Sequence, residues 1–554
     1  MALGRVGRQG SFDDAALLLG DRLAGGSVYR LLAEHGDALF GDEYFADLFT
    51  RSRLGRPTVP ARTIATVMLL QAQEGLSDRE ACDRLAFDLR WKAAAGLAVA
   101  DSSFHPTVLV GMRNRLRASD RPRRLFEDVN ATARQAGLLR GRRRVLDSTP
   151  LYDAVATQDT VIQLRAAVRK LLGAADRDAP GLAAAVRAGL ARADDYATLG
   201  KPPCDWDDPA AREALVDALV RDAHAALAAL HGHELTGPVA ETAQLLALVA
   251  GQDVEAGEDG VLRIARKVAR DRIISTVDTE ARHGHKSRAR RFDGYKTHLG
   301  VDPDDELITN VAVTPANTAD RDVIEDLLDE PAGDREAGDT DQPGTDEPRR
   351  EGPGLDEPDG PGLASGQSGS GLEVYGDSAY ADAQTLLEQA AGGNDLRAKV
   401  PPVRNSRGYS KDQFRIDPEA GTVGCPAGHT VPIRPQRRGG QARFGDLCRD
   451  CPLRTACTTA RRGRVISIHP DEATLQQAKA RQRDPDWQLA YRTHRPIVER
   501  KISHFTRRPW GGRKARCRGQ ARILTDVLTR AGAINLARLA TLGLRHGPGG
   551  WAIA

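Results

Sequence analysis

The sequence predicts an α/β protein with an all-helical N-terminal domain. The core that follows is a five-stranded mixed sheet with helices, and insertions interrupt this core. Residues up to about 140 carry apolar side chains at helical spacing. Beyond them, short runs rich in β-branched and apolar residues are each bounded by turn residues. The predicted strands are 144–148, 294–301, 307–314, 372–377 and 396–400. With 554 residues, the chain is too long for a single core.

Changes in composition along the chain divide it further. The predicted segments are 1–140 (helical, with a helix-turn-helix outline), 141–157 (first strand), 158–272 (helical insertion), 273–330 (hairpin and helix), 331–371 (disordered acidic Gly/Pro linker), 372–402 (two strands), 403–484 (cysteine-bearing insertion) and 485–545 (C-terminal helices). The linker contains almost nothing to bury, which is why we expect it to be disordered. The helical insertion shows no pattern that we can connect to chemistry.

The composition is that of a globular protein, with 40% hydrophobic and 28% charged residues. The N-terminal residues lack the apolar segment of a secretion signal, and no apolar run approaches the ~20 residues needed to cross a bilayer. Seven cysteines in so long a chain do not make a disulfide framework. We therefore expect a protein of the reducing cytoplasm that does not bind membranes.

The net charge of +3 conceals a strong segregation of charge. Basic residues cluster at 121–144, 286–291, 434–443 and 507–518, whereas acidic residues accumulate between 330 and 359. Clustered Lys and Arg neutralise phosphates and release counterions, so a polyanionic partner is one interpretation. Solvated surfaces in an arginine-rich chain are the other, and the charge runs alone do not decide between them.

Two predicted helices on either side of Gly75 have the outline of a helix-turn-helix. Ser77 and Glu80 form a capping-box pattern that would begin the second of them. A later helix carries Arg113 and Arg115, which are candidates for contacting DNA. A plain helical bundle has the same pattern, so this interpretation needs support from elsewhere in the chain.

Two of the predicted strands end on the same dipeptide, Asp-Ser. Asp147 would leave the first strand at its carboxyl end, and Asp377 would leave the fourth. Three strands in hairpin succession, a helix, and two strands around another helix are the order of an RNase H-like fold. Because the first and fourth strands are neighbours in that fold, we expect the two carboxylates to meet at one edge of a site.

Paired carboxylates suit phosphodiester chemistry, because two divalent ions roughly 3.5–4 Å apart stabilise the attacking and leaving oxygens. Mg²⁺ prefers carboxylate and water oxygens. Glu499 is the candidate for a third acid, since Tyr491, Arg495 and Glu499 recur every four residues and would share one helix face. Pro496 marks either a kink or the start of that helix. A surface helix with charge pairs is the alternative.

Four cysteines near the C-terminal part of the chain have the spacing C-x22-C-x2-C-x5-C. They are Cys425, Cys448, Cys451 and Cys457. Zn²⁺ favours four thiolates, and C-x2-C is its usual half-site. The second half is irregular, and His429 is an alternative ligand. A structural zinc ion and free thiols both remain open, and we expect the zinc.

These motifs resemble those of bacterial insertion-sequence transposases of the Asp-Asp-Glu (DDE) class, in particular the subgroup with a cysteine-containing insertion before the final Glu. The similar segments are DREACDRLAFDLRWKAAAGL, SSFHPTVLVGMRNRL, VLDST, DTEARHGHKSRARRFDGYKTHLGVD, VTPANTADRD, VYGDSAY and YRTHRPIVERKISHF. The resemblance implies that Asp147, Asp377 and Glu499 are metal ligands. Thr506 stands where the family signature has a Lys, with Arg507 and Arg508 beside it.

The resemblance implies a transposase that binds the terminal inverted repeats of its element and target DNA, then cleaves and transfers strands with two Mg²⁺ ions, for which Mn²⁺ could substitute. Arg495 would neutralise a phosphate, and Tyr491 would belong to the same catalytic motif. The basic residues expected to contact DNA are Arg113, Arg115, Lys286, Arg290, Arg507, Arg508, Arg516 and Arg518.

By the same resemblance we expect a homo-oligomer on DNA, associated with the nucleoid in the cytoplasm. An RNase H-like nuclease without strand transfer and a non-catalytic DNA-binding relic are the alternatives.

Overall fold

The computed structural model describes residues 13–50, 58–265, 269–287, 290–330, 371–403, 405, 408–507 and 512–554. The predicted disordered linker lies outside these residues except for Gly371, and Arg508 lies outside them as well.

The N-terminal part of the chain is helical. Its helices are α1 (Ala15–Leu19), α2 (Val28–Leu39), α3 (Ala61–Glu74), α4 (Asp78–Phe87), α5 (Leu89–Ala95), α6 (Thr107–Ala118) and α7 (Arg124–Gln135). Gly75 ends α3 with a φ of 71°, in the left-handed region that glycine adopts without strain. Ser77 and Glu80 form the predicted capping box at the start of α4.

The first strand, β1 (Arg143–Tyr152), leads into the predicted helical insertion. The elements of the insertion are α8 (Thr160–Asp178), α9 (Pro180–Gly189), α10 (Pro209–Ala228), α11 (Gly237–Gln252), β2 (Val254–Ala256) and β3 (Leu262–Ile264). Its helices enclose a hydrophobic core of their own around Leu164, Leu219 and Leu246.

The strands of the central sheet continue after the insertion. The elements are β4 (Arg282–Ser287), β5 (Arg290–Asp302), β6 (Leu307–Pro315), α12 (Ile324–Leu328), β7 (Glu373–Gly376), α13 (Ala383–Ala391) and β8 (Asp395–Ala398). Asp302 begins the turn of the predicted hairpin, and its carboxylate accepts hydrogen bonds from the backbone N–H groups of Asp304 and Asp305.

The cysteine-bearing insertion folds into a second sheet. It contains β9 (Arg415–Asp417), β10 (Thr422–Gly424), β11 (Thr430–Gln436), β12 (Gly439–Arg443), α14 (Arg454–Cys457) and β13 (Val465–Ile468). The described strands pair in the order β13-β12-β11-β10-β9. We call this unit the cysteine sheet.

The C-terminal elements are α15 (Glu472–Arg481), α16 (Pro485–Phe505), α17 (Gln520–Thr541), β14 (Leu544–Gly547) and β15 (Gly550–Ile553). Pro496 lies inside α16, so the alternative that it starts the helix is wrong. The eleven residues from Pro485 to Arg495 are already helical because Pro485 at the first turn, with Asp484 as the cap, begins the helix earlier. None of the described helices has the length and apolar character to span a membrane.

The central sheet is mixed, as predicted. Its described strands run in the order β4-β5-β1-β7-β8, and β6 also pairs with β5. β1 is antiparallel to β5 and parallel to β7, so the first and fourth predicted strands are neighbours. The prediction of five strands was wrong by one strand, β4, which pairs with the beginning of β5. Its sequence RHGHKS is basic and polar, without the apolar alternation that reveals a strand.

α17, near the C-terminus, packs against the N-terminal helices and against the central sheet. Its residue Leu536 is buried in the same core as Met68 and Trp91 of the N-terminal helices. Its residues Val527 and Ile534 belong instead to the core on one face of the central sheet. The N-terminal helices therefore bury part of their apolar surface against the C-terminal helix that also covers the sheet.

Candidate active site

Asp147 and Asp377 lie at matching positions of adjacent parallel strands. The last paired residues of β1 and β7 are Val145 and Tyr375, and each Asp follows its strand's member of that pair by two residues. Val145 and Tyr375 are both buried in the core shared with α16. Because side chains alternate along a strand, Asp147 is directed toward the same face as Val145. Asp377 follows the last residue of β7 in extended backbone.

The prediction that Asp147 ends its strand was wrong. β1 continues to Tyr152, because β5 remains paired with it along Val145–Tyr152. Only the neighbour on the other side, β7, ends near this point, at Gly376. Asp147 therefore lies within β1, beside the carboxyl end of β7, and this end of the β1–β7 pair is the edge that Asp147 shares with Asp377.

Asp377 follows β7 directly and caps a short 3-10 helix, where its carboxylate accepts a hydrogen bond of 2.8 Å from the backbone N–H of Ala379. Burial raises the pKa of the Asp377 carboxyl, and the negative charge of Asp147 raises it further. The raised pKa of Asp377 is therefore mainly an effect of burial, to which the repulsion from Asp147 adds.

Arg495 compensates this negative charge from α16. Its Nη2 lies 2.9 Å from Oδ2 of Asp147, and its side chain is 10% exposed. Burial alone would lower the pKa of the Arg495 guanidinium, but Asp147, Tyr491 and Asp377 together outweigh burial and raise it. Nη1 of Arg495 is buried and has no hydrogen-bond partner among the described residues.

The other two members of the predicted helix face differ in burial. Tyr491 is buried, stacks on Trp487 at 5.0 Å between ring centroids, and donates a 3.0 Å hydrogen bond to the carbonyl of Gly376. The side chain of Glu499 is 65% exposed, and its Oε1 lies 3.8 Å from Nη1 of Arg495. Arg495 therefore lies between Asp147 and Glu499.

The described residues contain no group of three or more His, Cys, Asp or Glu side chains arranged to hold a metal ion. The chemistry of the donors nevertheless suits Mg²⁺, since two repelling carboxylates occupy matching positions at one edge. The predicted third ligand, Glu499, contacts Arg495 at 3.8 Å. The two aspartates thus fit the predicted role by donor type and placement, and the arrangement of all three acids as ligands stays a prediction.

An ion pair that the sequence did not reveal lies next to β1. Asp320, in the short helix after β6, accepts a 2.8 Å hydrogen bond from the hydroxyl of Ser148, the residue after Asp147. Nζ of Lys296 on β5 lies 2.8 Å from the other oxygen of Asp320. Burial raises the pKa of the Asp320 carboxyl, but Lys296, His298 and the hydrogen bonds outweigh it and lower the pKa overall. The segment VTPANTADRD, which contains Asp320, resembles the transposase family, but nothing in its spacing singles out this Asp.

Three family models match separate parts of the chain. Two are described as a transposase DDE domain and match residues 248–336 and 424–540. A third, described as a transposase domain, matches residues 18–115. The chain belongs to the DDE transposases. No curated protein and no solved structure matches it.

The matches cover different parts of the transposase. The segment 424–540 includes the four clustered cysteines and α16 with Arg495 and Glu499, and 18–115 includes the end of α1, all of α2 to α5 and most of α6. Asp147 and Asp377 lie outside the matched segments. Their assignment therefore depends on the sheet, and membership of the subgroup with a cysteine insertion stays a prediction.

Three of the arginines predicted to contact DNA have partners inside the transposase. Arg113 forms an ion pair of 2.7 Å with Asp78. The guanidinium of Arg115 lies 4.9 Å from the centre of the Phe49 ring. Arg516 donates hydrogen bonds of 2.7 and 3.1 Å to the carbonyls of Gly75 and Leu76, which form the turn between α3 and α4. These arginines hold the N-terminal helices and the C-terminal segment in place.

The four other predicted DNA contacts that the structure describes lie on the surface. Lys286 and Arg290 are exposed on β4 and β5, at the edge of the central sheet. Arg507 is exposed just after α16, and Arg518 is exposed just before α17. At the family's Lys position, the hydroxyl of Thr506 donates a 2.8 Å hydrogen bond to the carbonyl of Ile502. These four basic residues are placed where DNA could reach them, and their role stays a prediction.

The four clustered cysteines line one small cavity of the cysteine sheet, of about 20 Å³, together with His429. Burial raises the pKa of Cys457, and the three other cysteines of the cluster raise it further. None of the seven cysteines forms a disulfide. The thiols thus converge on one cavity, although the described residues contain no group already arranged as a metal site.

Proposed function

We propose that this transposase binds the ends of an insertion sequence and cleaves and joins DNA strands at the edge of the sheet that carries Asp147 and Asp377. The observation that carries the proposal is the matching position of these two carboxylates on parallel neighbours, with Arg495 against Asp147. The strand order, with β1 between β5 and β7, supports an RNase H-like core. Such a core would support many chemistries, so the proposal depends on the acids and not on the fold.

Asp147, Asp377 and Glu499 would hold the Mg²⁺ ions. When bound, such ions neutralise the charge that develops on the attacking and leaving oxygens of a phosphodiester. The repulsion that raises the pKa of Asp377 supports this assignment, because a cation between the carboxylates would remove it.

Arg495 would bind the DNA backbone beside the scissile bond. Its Nη2 is engaged by Asp147, whereas Nη1 is buried and has no hydrogen-bond partner within the described ranges. A phosphate oxygen is the acceptor that a guanidinium N–H without a hydrogen bond favours, and the nearest carboxylate oxygen to Nη1, Oε1 of Glu499, lies 3.8 Å away. Tyr491 would keep the end of β7 in position through its hydrogen bond to Gly376. The two residues would therefore align the phosphate with the carboxylates.

Two reactions would follow one another at this edge. In the first, the oxygen of water bonds to the phosphorus, the bond from phosphorus to the 3′ oxygen breaks, and that oxygen takes a proton to become a 3′-hydroxyl. In the second, this hydroxyl attacks a phosphodiester of target DNA, so that one new P–O bond replaces one that breaks. Both steps need the same in-line alignment, which one site can provide.

The surroundings of the site supply further parts of the proposal. Lys286, Arg290, Arg507 and Arg518 would contact duplex DNA as exposed cations. A structural zinc ion would be held by Cys425, Cys448, Cys451 and Cys457, whose side chains line one cavity. We also propose that two or more copies assemble on paired element ends, in the nucleoid of the cytoplasm.

The test uses the purified full chain with short duplexes that carry the element's terminal inverted repeat, with and without Mg²⁺ or Mn²⁺. Pre-cut duplexes with a free 3′-hydroxyl are offered a supercoiled plasmid as the target. We expect cleavage of intact ends and joining of pre-cut ends, both dependent on the divalent ion. Cleavage without joining would identify a nuclease instead, and binding without either reaction would identify a non-catalytic relic.

A further inference from the structure

One basic cluster of the sequence, 434–443, forms a compact surface that contains none of the residues predicted individually to contact DNA. The hairpin of β11 and β12 in the cysteine sheet spans residues 430–443, which contain no Asp or Glu. Its four arginines are Arg434, Arg437, Arg438 and Arg443. All four are exposed. We call this the arginine hairpin.

The two faces of the cysteine sheet are chemically different. Val431, Ala442 and Ile466 are buried in the core that also contains Cys457. On the opposite face, Arg434 pairs in register with Gln441, and Gln441 pairs with Ser467 on β13. Because side chains alternate along each strand, the face turned away from the core carries Arg434, Gln441, Arg443 and Ser467 over three adjacent strands, with the exposed Val465 beside them.

Acidic side chains of the described residues do not neutralise the charges of the arginine hairpin. Among the residues that the structure describes, Arg434, Arg437 and Arg438 form no ion pair, whereas Nε of Arg443 donates a 2.6 Å hydrogen bond to the amide oxygen of Gln441. Elsewhere in the same unit, Arg449 is paired with Asp446 at 2.6 Å. Unpaired neighbouring cations repel one another, and a row of phosphates would neutralise them.

Ion pairs connect the cysteine sheet to the helix that precedes the candidate site. Lys411, just before β9, lies 2.5 Å from Glu472 of α15, and Asp412 pairs with Lys479 of the same helix. Arg481, at the end of α15, lies 2.6 Å from Asp395 of β8. The cysteine sheet is thereby attached to the element next in sequence to α16 and to the edge of the central sheet.

We propose that the arginine hairpin binds the phosphate backbone of duplex DNA outside the segment that is cleaved. The inference deepens the proposed function and rests on it. Arginines on a two-stranded hairpin present their guanidinium groups to phosphate oxygens, and such contacts carry no sequence information. DNA that enters the site would therefore be held at a second place, independently of its sequence.

The test compares the double variant Arg437→Gln/Arg438→Gln with wild type in binding to two duplexes, one with the element's end and one of unrelated sequence. Each lost phosphate contact lowers the slope of log affinity against log salt by ~0.9 for duplex DNA. We expect the slope to fall by nearly two and the affinity to fall about tenfold at low salt, equally for both duplexes. The matched control is Arg177→Gln/Arg212→Gln, which removes two exposed arginines from the helical insertion and is expected to leave both quantities unchanged.

The outcomes separate this inference from the proposed function. Thermal unfolding checks that both variants fold, and cleavage at saturating DNA is expected to match wild type because neither arginine belongs to the catalytic edge. A hairpin variant with the affinity and salt slope of wild type would overturn the inference, even if wild type cleaves and joins DNA. The inference would also be overturned if the hairpin variant lost self-association while its DNA binding was unchanged, since the surface would then bind protein.

Discussion

Asp147 and Asp377 stand two residues beyond the same pair, Val145 and Tyr375, on adjacent parallel strands. This relationship places two negative charges side by side, and the charge of Asp147 contributes to the raised pKa of Asp377. Of the two, only Asp147 has a direct cationic partner among the described residues, Arg495 at 2.9 Å. The two aspartates should therefore respond differently to the same substitution.

Asp377→Asn is expected to abolish DNA cleavage, by about 10³-fold or more, while the protein remains as stable as wild type or becomes more stable, because the repulsion from Asp147 is removed. Asp147→Asn is also expected to abolish cleavage, but it should lose about 1–3 kcal/mol of unfolding free energy because Arg495 is left without its partner. Plasmid nicking and urea denaturation measure the two effects. Asp159→Asn, at the exposed cap of α8, is the control. Normal cleavage by either active-edge variant would remove the basis of the proposed function.

Lys296 and Asp320 are expected to position the segment of β1 that carries Asp147, through the hydroxyl of Ser148. Lys296→Met would leave Asp320 buried without its cation and should cost about 3 kcal/mol of stability. The double variant Lys296→Met/Asp320→Leu should recover most of that stability, yet cleave about 10- to 100-fold more slowly with unchanged DNA affinity. Cleavage rates at saturating DNA and denaturation curves separate the two roles. A double variant that is stable and cleaves at the wild-type rate would show that the ion pair serves the fold alone.

Zinc is expected to copurify with the chain, at about one ion per chain, because four thiols line one cavity and a cation there would relieve the repulsion that helps to raise the pKa of Cys457. Cys448→Ser/Cys451→Ser should lose the zinc and lower the melting temperature. Cys204→Ser, outside the cluster, should keep both. Elemental analysis and thermal unfolding with and without a chelator provide the measurements. Metal-free protein whose melting temperature does not respond to added zinc would contradict the zinc assignment.

His298 is expected to make the stability depend on pH. Burial lowers the pKa of His298 from 6.5 to about 4, so the unfolded chain binds more protons than the folded one between these values. Stability should therefore fall as the pH falls through this range, by about 2 kcal/mol between pH 7 and pH 5. The glutamine of His298→Gln cannot titrate in this range. Over the same interval this variant should therefore lose about 2 kcal/mol less stability than wild type. Denaturation at the two pH values tests this, and equal losses in both proteins would exclude His298 as the source.

Much of the local structure could be predicted from the sequence. The capping box of Ser77 and Glu80, the turn at Asp302 and the adjacency of the first and fourth predicted strands all appear as expected. Each depends on residues close together in the chain or on a strand order that local patterns specify. β4 was missed because such predictions use local patterns alone. A basic edge strand has no apolar alternation to detect.

The sequence by itself determined the N-terminal and C-terminal helices, the strands of the central sheet other than β4, and which acids could serve a phosphodiester site. Only the tertiary structure decided what those residues meet. Arg113 and Arg516, expected to contact DNA, are engaged within the protein, whereas Asp320, which no pattern singled out, reaches the strand of Asp147. The physical reason is that the periodicity of helices and strands depends on neighbouring residues in the chain. Burial and charge pairing depend instead on distant segments, which meet only when the sheet and α17 pack.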